Sequence, residues 1–175
     1  MRRGRNSAFP PLRIWYIKER QGEYSLISRK AVEHLRAATF LKNLNAVSEH
    51  EAISRMLDAL QGRPEVRDWQ QLSAAVFARQ QTDPPLFPGG VAFPHARTDA
   101  VSALVMVVAT CSEPIPFGEI PVRLIFLIGI PKRAGADYLE LISFLARHVR
   151  GERVVDQLVK AEDMPTLLVG FAEVA

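Results

Sequence analysis

Apolar residues along the chain follow two patterns, helical spacing in some stretches and near-continuous runs in others. Ala52, Ile53, Met56, Leu57 and Leu60 recur at three- and four-residue intervals, which gathers them on one face of an α-helix. Ser48 and Glu51 stand ahead of that face in a capping-box spacing, where hydroxyl and carboxylate each satisfy an unpaired N–H at a helix start. Gly62 follows where a left-handed terminal residue is tolerated, so the pattern predicts a helix over 49–61. A second helix is expected from Asp68 as its cap, with Gln71 at the third position, through Trp69, Leu72 and Val76. It should end near Arg79, before Pro84 and Pro85. Ahead of both, 26–35 reads as a short helix and 39–44 as a short strand.

From Gly89 the pattern changes. Residues 91–93 form a short apolar run, and 101–109 and 122–130 are longer, Val- and Ile-rich runs of the kind found in strands covered on both faces. Tyr138, Leu141, Ile142, Leu145 and Val149 then return to helical spacing, and 153–160 and 164–171 read as two further helices. Helices, then strands, then helices imply an α/β fold, a mixed β-sheet flanked by helices, with antiparallel pairing between the closely spaced strands.

Composition narrows the setting. A chain of 175 residues, 48% of them apolar, encloses one sizeable core and reads as one domain. Cys111 is the only cysteine, which excludes an intramolecular disulfide or a cysteine-built zinc site and suits a reducing cytosol. No apolar run approaches the roughly 20 residues of a membrane-spanning helix. Pro10, Pro11 and Arg13 interrupt the only apolar stretch near the start, so the chain reads as unexported and cytoplasmic, without direct membrane insertion. The formal charge of +3 is unevenly placed: Arg2, Arg3, Arg5, Arg13, Lys18 and Arg20 crowd the first twenty residues against Glu19, leaving a slightly acidic remainder. Residues 1–25 therefore read as a basic, solvated leader and 26–175 as the folded domain. Such an arm can touch phosphates, but a solvated leader is the commoner use of this composition, and no nucleic-acid partner is expected.

The chemistry-bearing segment is Gly89-Gly90-Val91-Ala92-Phe93-Pro94-His95-Ala96-Arg97. A flexible glycine pair, at which backbone N–H groups can approach an anion, feeds a short strand that delivers a histidine. Pro94 fixes its own φ and restricts Phe93, so the chain entering His95 is stiff. Neutral imidazole is a competent nucleophile near pH 7, provided that a hydrogen bond fixes its tautomer and that donors meet the charge on an incoming phosphoryl group. Arg79 and Arg97 are candidate donors, because a guanidinium fork matches phosphate oxygens. Each element also has an ordinary structural use: a hydrogen-bonded histidine, a dipole-pairing arginine, a glycine turn.

The segment Gly90 to Arg97 resembles the active-site signature of type-2 EIIA domains of the bacterial phosphotransferase system, the fructose, mannitol and nitrogen-regulatory branch. Flanking sequence agrees: 46–60 resembles the family's first strand-to-helix junction, and Arg79 stands sixteen residues before His95, where the family usually has an arginine. Ile115-Pro116-Phe117 and 123–131 are similar to its later strands, so the likeness covers roughly 26–172. The resemblance implies the mannitol-type EIIA architecture, with His95 accepting a phosphoryl group from the phosphocarrier HPr. It further implies delivery to an EIIB or sugar-permease domain or to a regulatory target. No cofactor, nucleotide or metal is required by such a relay, and Gly90, Arg79, Arg97 and Tyr138 are the candidate phosphoryl-stabilising residues beside His95.

Two departures stand out. Relatives commonly carry a Ser-Thr pair where this chain has Pro84-Pro85, which removes a possible hydroxyl donor, and several place a second histidine where Tyr138 falls. A phenol donates a hydrogen bond but does not become a cation near neutral pH; core packing is the alternative use of Tyr138. These departures motivate a second reading, a regulatory module that keeps the fold and acts by binding. His34, His50 and His148 are expected on exposed helix surfaces, and no metal-ligand spacing or phosphate-loop motif occurs.

Overall fold

The computed structural model describes residues 29–82 and 84–171, together with the backbone of 16–18, 24–26 and 172–173. In chain order, β1 (Tyr16–Lys18) and β2 (Tyr24–Leu26) precede α1 (Arg29–Ala37), β3 (Thr39–Leu41), α2 (Glu49–Asp58) and α3 (Trp69–Thr82). Short strands follow, β4 (Leu86–Phe87), β5 (Val91–Ala92) and β6 (His95–Thr98), then two long ones, β7 (Val105–Phe117) and β8 (Ile120–Pro131). Three helices close the chain: α4 (Gly135–His148), α5 (Glu152–Leu158) and α6 (Met164–Glu173).

The apolar runs of β7 and β8 form the centre of the sheet because both of their faces are covered. Met106, Val108, Phe126 and Ile128 face α1, α4, α5 and α6, while Val105, Val107, Ile125 and Leu127 face α2 and α3. Successive strand residues point to opposite faces, so a strand buried on both sides has no polar alternation to show. The sheet runs β3-β7-β8-β5-β4, with β6 also on β8. It is mixed: β7 and β8 are antiparallel, whereas β3 on β7 and both β5 and β6 on β8 are parallel.

Local expectations hold where the physics is local. Ser48 Oγ accepts the Glu51 N–H at 3.2 Å, and Asp68 accepts the Gln71 N–H at 2.9 Å. The reciprocal bond of the first cap differs from the sequence reading, since the Glu51 carboxylate takes the N–H of Val47, one residue outside the cap. The helix expected over 49–61 ends as an α-helix at Asp58 and continues as turns to Gly62, at φ +77°. Leu26 lies in β2, so the first helix begins at Arg29 and not at 26. The leader expectation did not anticipate the pairing of Tyr16–Lys18 with Tyr24–Leu26; the rest of 1–25 lies outside the described residues. Residues 101–104 are not strand: Val101 bridges to Val66, and β7 starts at Val105 and passes through an irregularity between Thr110 and Ile115.

One feature of the sheet sets the site. Val91 pairs with Leu124 and His95 with Ile128, so the register along β8 continues unbroken from β5 into β6. Between them Pro94 removes one donor, since proline has no N–H to give, while its carbonyl still accepts the Ile128 N–H at 2.9 Å.

The glycine turn that starts this track is conformationally demanding. Gly90 adopts φ +78°, and a Cβ there would stand 2.6 Å from the Pro121 carbonyl oxygen; at Gly62, also left-handed, a Cβ would meet nothing within 4 Å. Gly62→Ala should therefore cost the backbone penalty alone, about 1 kcal/mol, and Gly90→Ala at least about twice that. Urea unfolding of the two variants against the parent measures the difference.

Candidate functional site

His95 opens β6, on the edge of the sheet's α4-facing side, and is half-buried. Alternation dictates that side: Phe93, two residues back, lies in the cluster that contains α4, whereas Ala92 and Ala96 pack toward α2 and α3. The Tyr138 ring, from the first turns of α4, lies with its centroid 5.4 Å from the imidazole centroid, inclined by 32°. Behind the ring, Nδ1 lies 2.9 Å from the Phe93 carbonyl oxygen.

That contact determines the tautomer. A carbonyl oxygen only accepts, so Nδ1 carries the proton and the neutral ring keeps its lone pair on Nε2. Burial holds the His95 pKa below its ordinary 6.5; the Phe93 carbonyl works against this by stabilising the charged ring, and the Arg79 cation adds to the lowering. The neutral, nucleophilic form is thereby favoured. Burial also raises the Tyr138 pKa, again with Arg79 acting on the group, here in the opposite direction, so the phenol stays protonated and able to donate.

The expected residues separate into those gathered at the imidazole and those placed elsewhere. Arg79, in the last turn of α3, brings its charge to bear on both His95 and Tyr138 from the opposite helical layer. Arg97 lies two residues from His95 on the same face, but its Nε donates to the Lys132 carbonyl at 3.0 Å and one terminal nitrogen donates to the same oxygen. It fastens β6 to the segment entering α4, and its guanidinium passes so close to Gly135 that a Cβ there would stand 3.2 Å away. Gly90 is not brought to the imidazole: five residues of extended chain separate them, roughly 16 Å at strand rise, and its carbonyl accepts the Arg123 N–H at 2.9 Å. The groups missed by sequence reading are the Phe93 carbonyl and Gly135. A backbone acceptor has no residue-type signal, and Gly135 becomes legible only once Arg97 is seen beside it.

The remaining histidines are built into helices. His50 is exposed and stacks on Phe77 at 4.5 Å. His34 and His148, expected to be exposed, are half-buried; His148 Nδ1 lies 2.7 Å from the Phe144 carbonyl oxygen, and its ring stacks on Phe144 at 4.2 Å. Among the described residues no group of three or more His, Cys, Asp or Glu converges as a metal would need. The Cys111 thiol is buried, which pushes its pKa up to about 12.

The fold agrees with comparison against known proteins. Residues 33–169 match the family described as phosphoenolpyruvate-dependent sugar phosphotransferase system, EIIA 2, and the chain belongs to that family. It is 38% identical over 88 residues to the fructose-specific EIIA component of Haloferax volcanii, covering 49% of this chain and 57% of that protein. A nitrogen regulatory protein of Bradyrhizobium diazoefficiens is 32% identical over 77 residues, covering 42% of this chain and 50% of its own length. The chain thus spans little more than half the length of these relatives. Among solved structures, the complex of enzyme IIA mannitol with phosphorylated enzyme IIB mannitol from Escherichia coli matches with a TM-score of 0.65. The identity is 20%, over 77% of this chain and 94% of that one, which establishes the shared mannitol-type fold.

The electrostatics make a measurable statement. In an NMR titration His95 should protonate with a midpoint below 6.5, and Arg79→Gln, which removes a like charge, should move that midpoint upward. A folded-state pKa below the unfolded one means that the unfolded chain binds more protons. The contribution of His95 to stability is therefore present at neutral pH and declines as pH falls below about 6.5. Denaturation midpoints of parent and His95→Gln should accordingly converge or cross toward acid pH.

Proposed function

We propose that the chain is a phosphohistidine carrier that receives a phosphoryl group on His95 Nε2 from a phosphorylated HPr-like protein. It passes the group to an EIIB or permease domain, or to a regulatory protein. The observation that carries this reading is the Nδ1 contact with the Phe93 carbonyl, which leaves Nε2 as the reactive atom of a ring held neutral by its surroundings. In the transfer the Nε2 lone pair attacks phosphorus, the Nε2–P bond forms as the donor's N–P bond breaks, and the electron pair leaves with the donor imidazole. Positive charge that builds on the His95 ring is met by the Phe93 carbonyl through Nδ1–H, so no proton has to move. Arg79 supplies cationic charge for the phosphoryl oxygens, and Tyr138, kept protonated by burial, a phenolic donor.

The family supports the phosphotransfer class, and the solved complex of a similar IIA protein with phosphorylated IIB supports an EIIB-type recipient. Among the described residues no helix is long and apolar enough to cross a membrane, which fits a carrier acting in the cytoplasm.

A second reading rests on a specific difference. Pro85 occupies the strand end beside the His95 segment, where relatives commonly offer hydroxyls, and Tyr138 stands where several place a histidine. On that reading the domain regulates by binding; one relative is itself named a nitrogen regulatory protein. Partner binding would then be indifferent to His95→Ala.

Incubation with phosphoenolpyruvate, Enzyme I and HPr should add one acid-labile phosphoryl group, absent in His95→Ala. Tyr138→Phe keeps the ring and removes the hydroxyl, and should slow labelling about tenfold, the equivalent of one charge-assisted hydrogen bond. An unlabelled parent, with a known EIIA domain labelling in parallel, would sink the carrier reading.

A further inference from the structure

Why the Phe93 carbonyl is available to the imidazole follows from what lies across from it. In an antiparallel ladder, residues facing each other across a closely spaced pair exchange two bonds, each giving its N–H to the other's carbonyl. β4 and β5 pair Phe87 with Val91 and Leu86 with Ala92, so the next rung sets Pro85 opposite Phe93. Half of that rung is present, since the Phe93 N–H donates to the Pro85 carbonyl at 3.0 Å. The other half would be an N–H from residue 85 to the Phe93 carbonyl, and proline has none. Neighbouring donors are removed or engaged as well. Pro94, next in the chain, also lacks an N–H, and the Ile128 N–H of β8 donates to the Pro94 carbonyl at 2.9 Å. The imidazole then takes the Phe93 carbonyl at 2.9 Å.

We propose that Pro85 is a positioning residue for His95: by withholding a backbone N–H it reserves the Phe93 carbonyl for Nδ1 and so fixes the nucleophilic tautomer. The functional weight of this role rests on the reading of His95 as phosphoryl acceptor. An amide at position 85 would complete the rung and share the carbonyl, weakening the bond to Nδ1–H and admitting the Nε2–H tautomer, which has no lone pair on Nε2. The proline pair thus exchanges a possible hydroxyl donor to phosphate for an undivided acceptor behind the ring.

The test is Pro85→Ala, read by ¹⁵N NMR of the imidazole at a pH above the His95 titration. The parent should show the Nδ1–H form, and Pro85→Ala should raise the ratio of Nε2–H to Nδ1–H about fivefold, the equivalent of one ordinary hydrogen bond. Pro84→Ala is the control: backbone groups alternate along a strand, so an N–H there points away from Phe93 and should leave the ratio unchanged. An N-methylated alanine ligated in at position 85, which loses the ring but still lacks the N–H, should restore the parent spectrum. An unchanged ratio in Pro85→Ala, or an equal change in Pro84→Ala, would overturn the inference. The readout needs no phosphoryl transfer. A protein that shows the tautomer response yet fails to label would defeat the carrier function and leave the role of Pro85 standing.

Discussion

The bond between His95 Nδ1 and the Phe93 carbonyl is the constraint on which the site depends, because it decides which nitrogen keeps its lone pair and where that nitrogen points. It spans only two residues, yet it is not a local accident. The imidazole reaches that carbonyl because β5 and β6 run along one continuous register of β8, with Phe93 and His95 on the same face. A one-residue slip would move His95 to the α3 side, away from Tyr138, and replace it with an apolar neighbour. The segment's own side chains oppose that slip, since it would turn buried Phe93 out of the α4-side cluster and set it where Ala92 and Ala96 pack toward α2 and α3.

Electrostatics act on the same ring in two directions. Burial and the Arg79 cation favour the neutral imidazole, while the carbonyl on Nδ1 favours a charged one; burial is the largest of the three, so the resting ring is neutral. In the proposed transfer the balance would be useful in reverse, because the carbonyl that loses at rest is already oriented to meet charge as it develops. Tyr138 shares the Arg79 field but starts from a much higher pKa, so no change near neutral pH alters its role as donor. A histidine in that place would titrate in the same range as His95 and couple the two sites. With Tyr138 there, the pH behaviour of the site belongs to His95 alone among the groups in ring contact with it.

Much of this was legible in the sequence, for reasons that differ by element. The caps at Ser48 and Asp68, the apolar face of α2 and the doubly buried runs of β7 and β8 are written in residue type and spacing, and the structure follows them closely. The His95 segment was legible because stiffness, a glycine turn and an imidazole stand together within nine residues. Strands β4 and β6 were not, since two to four residues carry no periodicity and their pairing comes from β5 and β8. Arg97 and Gly90 show the limit most clearly. Adjacency in sequence suggested that both attend the imidazole, whereas strand geometry carries Gly90 far along the track and the Lys132 carbonyl, at the start of the β8-to-α4 connection, captures the Arg97 guanidinium.

That capture ties the two halves of the site together. Tyr138 belongs to α4, and α4 is joined to the sheet at its start through Arg97 on β6, which holds the Lys132 carbonyl three residues before Gly135. Lys132 in turn pairs with Asp99 just beyond β6. A second tie comes from α1, where Lys30 pairs with Asp137 at 2.8 Å, one residue before Tyr138. These ion pairs are exposed and individually weak, so the apolar packing of Leu141, Phe144 and Leu145 holds the helix in place, and the polar contacts set where its first turn sits. A Cβ at Gly135 would stand 3.2 Å from the guanidinium, so a side chain there makes Arg97 give by a few tenths of an ångström. The phenol thus reaches the imidazole from a helix held by apolar packing and tied at its start to the strand that carries His95.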